Sequence, residues 1–77
     1  MKIFFELTAG VFIRNQIRRE LNNSKEMIKH WYPESRVLLT ESKDWFESVF
    51  YFEADNLPEN AEKKMRLWVD RIRSLEN

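Results

Sequence analysis

Apolar residues recur at two different periods along this chain, and the change of period divides it into segments. Ile13, Ile17, Leu21, Ile28 and Trp31, with Ser24 filling the gap, advance by four, four, three, four and three positions and so share one helix face. A long helix is predicted there. Asn22, Asn23 and Ser24 interrupt it, and Asn23 with Glu26 has the spacing of a capping box that would restart a second helix. The apolar phase persists across the interruption, which favours one continuous helix. Pro33 disfavours helical geometry at Tyr32 and ends the segment.

Beyond Pro33 the period becomes two. Val37, Leu39 and Glu41 alternate with Arg36, Leu38 and Thr40, and Phe46, Ser48, Phe50 and Phe52 alternate with Trp45, Glu47, Val49, Tyr51 and Glu53. Two consecutive strands are predicted. Ser42, Lys43, Asp44 and Trp45 lack the Asn-Gly or Gly signal of a two-residue turn, and suit a four-residue loop on a type I turn. That loop pairs Glu41 with Phe46, Leu39 with Ser48 and Val37 with Phe50. It gathers Val37, Leu39, Phe46, Phe50 and Phe52 on the core face and turns Arg36, Leu38, Thr40, Glu47, Val49 and Tyr51 outward.

The last segment is a second amphipathic helix, since Ala61, Met65, Trp68, Ile72 and Leu75 repeat at four, three, four and three. Asn56 with Glu59 has capping-box spacing, and Pro58 falls in the first turn, where its missing N–H costs little. At the start, Ile3, Phe5 and Leu7 alternate with Lys2, Phe4 and Glu6 as in a strand, and Thr8 is a candidate cap for the helix that follows. The expected fold is therefore α+β, in the order β-α-β-β-α. A three-stranded mixed sheet of order 1-3-2 carries both helices on one face. The third strand is the most apolar on both faces and belongs in the middle, antiparallel to both neighbours. The alternative is α-β-β-α, with residues 2-8 helical and Gly10 inside the helix.

Length and composition narrow the classes. The 77 residues make a single compact domain, residues 1-77, and 43% hydrophobic with 14% aromatic content is too apolar for intrinsic disorder. Without Cys there is no disulfide, thiolate nucleophile or Cys-based metal site. Residues 3-13 imitate a signal sequence, but Glu6 interrupts the stretch and no small-residue cleavage pattern follows it. No stretch approaches the roughly 18 to 20 apolar residues of a membrane span. A cytoplasmic protein with no membrane partner is expected. The 13 basic and 13 acidic side chains cancel, yet residues 1-32 carry +3, residues 33-60 carry −5 and residues 61-77 carry +2. Charge arguments are therefore local.

Candidate chemistry follows from these surfaces. Phe4, Leu38, Val49 and Tyr51, rimmed by Glu47 and Glu53, would form an apolar patch on the open sheet face, the usual appearance of a protein-binding surface or homodimer contact. Base stacking on this sheet is disfavoured, because Glu6, Glu47 and Glu53 repel phosphates. Arg14, Arg18, Lys25 and Lys29 form a basic stripe on the first helix, the best sequence signal for nucleic acid and equally the pattern of a solvated face. Glu41, Asp44, Glu47, Glu53, Asp55 and Glu59 make an acidic hairpin able to compete for a site built for phosphates.

Catalysis has little support. His30 is the single histidine and Gly10 the single glycine, which leaves no His pair for a metal and no Gly-rich phosphate loop. No cofactor, metal or small-molecule substrate is expected. The sequence thus points to a small non-enzymatic interaction or regulatory module. It would bind a larger protein or itself through the open sheet face and acidic hairpin; the alternative is a nucleic-acid-binding regulator using the basic face of the first helix.

Overall fold

In the computed structural model, which describes residues 1–76, the chain forms β1 (Ile3–Gly10), α1 (Arg14–Trp31), β2 (Arg36–Lys43), β3 (Glu47–Asp55) and α2 (Glu62–Arg73), with 3₁₀ turns at Glu59–Ala61 and Ser74–Glu76. The sheet order is β1-β3-β2, and both ladders are antiparallel. β1 and β2 thus run the same way on either side of β3, and the mixed directions produce no parallel ladder among the described residues. The all-helical start does not occur, because residues 3 to 10 pair with β3 along their whole length.

The core lies between one sheet face and the two helices. Phe5, Leu7 and Ala9 of β1, Val37 of β2, and Phe50, Phe52 and Ala54 of β3 are buried against Ile17, Leu21 and Ile28 of α1 and Met65, Trp68 and Ile72 of α2. Phe5 stacks on Phe52 with ring centroids 5.3 Å apart, and Trp68 packs edge-on to Phe5 at 5.5 Å and tilted on Phe52 at 4.8 Å. These three rings join the sheet to α2.

α1 passes unbroken through Asn22, Asn23 and Ser24. The Asn22 amide donates to the Arg18 carbonyl at 3.0 Å and the Ser24 hydroxyl to the Glu20 carbonyl at 2.8 Å, so both side chains bond back along the helix instead of capping a new one. The helix stops where expected, with the Tyr32 N–H closing on the Ile28 carbonyl just before Pro33. Trp31, the last member of the stripe, lies at the surface.

Three local expectations are corrected. Thr8 belongs to β1, and α1 starts after Ile13 without a side-chain cap. Asn56 does not cap α2: it takes a left-handed backbone, φ 59°, and its amide donates to the Glu34 carbonyl at 2.9 Å, while Pro58 leads into the 3₁₀ turn before the helix. The hairpin register also differs. Glu41 pairs with Phe50, Leu39 with Phe52 and Val37 with Ala54, so every β2 partner lies four residues further along than predicted.

The cause of the shift is Asp44. Its carboxylate accepts the N–H groups of Phe46 at 2.8 Å and Glu47 at 2.9 Å, and its own N–H donates to the Glu47 carbonyl at 2.9 Å. The turn closes on Asp44, and Ser42 and Lys43 stay in the strand. Because a displacement of four is even, each face keeps its residues. Phe46 alone changes place, leaving the expected core for a turn where it is 80% exposed.

Candidate protein-interaction surface

The face of the sheet opposite the helices is built in rows. Phe4, Glu53 and Leu38 align across the three strands, followed by Glu6, Tyr51 and Thr40, and then by Thr8, Val49 and Ser42. Phe4 and Leu38 are each 61% exposed, and Tyr51, one row on in the central strand, is 37% exposed. These three side chains form a triangle, with Val49 half-buried behind it. All the predicted patch residues share this face, because alternation along each strand dictates the side on which a residue emerges.

Ion pairs neutralise part of its charge. Lys2 lies 3.2 Å from Glu53, and Arg36 lies 3.5 Å from Asp55. Among the described residues, Glu6 and Glu47 on this face have no ion-pair partner. The rim is left mildly negative.

The acidic hairpin is much less available than its sequence suggests. Glu41 sits on the inner side of β2, where the Arg18 guanidinium grips both its oxygens at 2.7 and 2.6 Å and the buried Ser48 hydroxyl donates to it at 2.7 Å. The Arg18 hydrogen bonds hold its carboxyl at about 2, against partial desolvation, with the Ser48 bond assisting. The same pairing raises Arg18. Asp44 is held below the usual carboxylate range, chiefly by the N–H of Phe46 and then by that of Glu47. Glu59 is exposed in the turn before α2.

The basic stripe is likewise committed. Besides Arg18 on Glu41, Arg14 donates to the Asp44 carbonyl at 2.7 Å, and Lys29 donates to the carbonyls of Ser35 and, at 3.3 Å, Pro33. Lys25 makes no such contact among the described residues. Three of the four cations thus clamp α1 to β2 and its flanking turns.

Sequence alternation misses a second apolar cluster. Phe12 is 99% exposed, Trp45 87% and Phe46 80%, all at the end of the molecule where the β1–α1 turn meets the β2–β3 turn. The Val11 N–H donates to the Phe46 carbonyl at 2.9 Å and joins the two turns. The signal available in the sequence was Asp44, whose side chain can close a turn on itself and so release Trp45 and Phe46 from the strand.

His30 is exposed near the end of α1, and the described residues contain no group of three or more metal-ligating side chains. Among the described residues, no helix is long and apolar enough to cross a membrane. Comparison with protein-family models, curated proteins and solved structures finds no match.

Proposed function

We propose that this chain is a non-enzymatic interaction module that binds a larger protein through its open sheet face. The observation carrying the proposal is the exposed triangle of Phe4, Tyr51 and Leu38 on a face that no helix covers. Aromatic and aliphatic anchors surrounded by polar groups are the usual energetic centre of a protein interface. Glu6 and Glu47, without an ion-pair partner among the described residues, suit a partner with basic residues around an apolar centre.

Size favours a larger protein over a homodimer on this face. Strands of eight, nine and eight residues span about 27 by 14 Å, roughly 400 Å². A standard interface takes about 800 Å² from each partner, so the partner must also wrap past a sheet edge. Nucleic-acid binding on α1 has weaker support, because Arg14, Arg18 and Lys29 are held by intramolecular acceptors.

The test is affinity capture from the source cell with wild type and Tyr51→Glu. A protein retained by the wild type and lost by the variant, with the fold intact by circular dichroism, supports the proposal. Equal retention by Tyr51→Glu overturns it. So does capture of nucleic acid alone, with a salt slope reduced by Lys25→Glu.

A further inference from the structure

The two ends of this molecule, which measures 38 × 19 × 17 Å, carry different apolar features. At one end, Phe12, Trp45 and Phe46 protrude from the joined turns. At the other, beyond the opposite ends of β2 and β3, a surface pocket of about 460 Å³ is lined by Trp31, Tyr32, Pro33, Leu57 and Pro58, with Glu34 and Asn56 completing it. A pocket of this size falls within the range, about 300 to 1,000 Å³, that takes small apolar groups.

We propose that these two ends join copies of the chain head to tail, with the aromatic tip of one copy seated in the pocket of the next. Hydrogen bonds tie down the backbone of both surfaces before they meet. Backbone and Asp44 carboxylate bonds hold the tip, and the Arg14 guanidinium braces the Asp44 carbonyl. In the pocket, Asn56 ties one loop to the other through the Glu34 carbonyl, and the Lys64 ammonium sits 4.1 Å over the Trp31 ring. Such preorganisation lowers the ordering cost of association.

Charge and area both fit a second copy. Lys43 beside the tip and the Glu34 carboxylate in the pocket make no ion pair among the described residues, and their signs are opposite. Three aromatic side chains at this exposure present roughly 400 to 600 Å². That is less than the roughly 800 Å² each partner gives to a standard interface, so association is weak and concentration-dependent. Because the surfaces differ and lie at opposite poles, the contact does not close on a pair. It leaves the sheet faces free, and a row of copies would present them multivalently.

The test is sedimentation of the full chain from about 10 µM to about 1 mM, the range suited to a weak contact. Wild type should rise through dimer and larger species, whereas Trp45→Ser/Phe46→Ser and Trp31→Ala should each remain monomeric. Mixing the two variants leaves one intact junction and should give twice the monomer mass and nothing larger. Glu34→Lys with Lys43→Glu provides a second complementation pair that spares the aromatic packing, and Tyr51→Glu should leave assembly unchanged, separating this contact from the sheet face. Wild type that stays monomeric, or stops at a dimer insensitive to Trp31→Ala, overturns the proposal. Tip-dependent binding to phosphatidylcholine vesicles without self-association also overturns it and assigns the tip to a lipid surface.

Discussion

The indole N–H of Trp68 donates to the hydroxyl of Ser24 at 2.8 Å, across a buried boundary between α2 and α1 and 44 residues of sequence. The Ser24 hydroxyl in turn donates a hydrogen bond to the Glu20 carbonyl, so every polar atom in the chain of bonds is satisfied. A serine inside an apolar helix stripe is thereby explained: it accepts the one donor that the central aromatic ring brings into the core.

Removing either partner should be unequal in cost. Ser24→Ala leaves the Trp68 N–H buried without an acceptor and should destabilise by about 1–3 kcal/mol, whereas Trp68→Phe removes that donor and leaves the Ser24–Glu20 bond in place. A double-mutant cycle by urea unfolding should show the two substitutions to be coupled, the double variant losing less than the sum of the singles.

The Glu41 carboxylate should make stability acid-sensitive. Its folded value of about 2 lies below its ordinary 4.5, so the stabilisation is fully present above about pH 4.5 and is lost as pH falls toward 2. With a fifth of the side chain exposed, solvent screening reduces this contribution to about 1–2 kcal/mol. Urea midpoints of wild type and Glu41→Gln, measured from pH 7 to pH 2.5, should converge as the pH falls.

The hairpin register predicts opposite fates for two phenylalanines. Phe50 is fully buried opposite Glu41, and Phe50→Ala should cost about 3–5 kcal/mol. Phe46→Ala should stay within about 0.5 kcal/mol of wild type, as surface substitutions usually do. Thermal melts of the two variants distinguish this register from the one with Phe46 inside.

Asp44→Ala should loosen the tip without unfolding the chain. The N–H groups of Phe46 and Glu47 lose their shared acceptor, so their amide exchange should accelerate while that of Phe50 and Phe52 does not. The same variant should weaken head-to-tail association, because the tip would have to be ordered on binding.

Much of this architecture was legible in the residues themselves. Ile17, Leu21, Ser24 and Ile28 on α1, Met65, Trp68 and Ile72 on α2, and the alternation of Phe4 with Phe5 and of Tyr51 with Phe52 each declare a local period, which depends only on helix and strand geometry. That is enough to name the elements, their order and the side chains facing each way. The open face was readable for the same reason.

Local period says nothing about which residue lies opposite which, or whether a charge is free. Moving β2 by four positions along β3 leaves the face of every residue unchanged, so alternation could not choose the register; the bonds to Asp44, which close the turn there and release Phe46, did. Arg18 and Glu41 looked like members of opposite solvated patches, and only the packing of α1 against β2 brought them within 2.6 Å. Sequence alone determined the elements and their inward faces, because those follow from neighbours three, four or two residues apart. The tertiary structure decided the register and the exposed aromatic end, through side-chain bonds of Asp44 that a hydrophobic period does not report, and the neutralised charges, which depend on groups distant along the chain meeting in space.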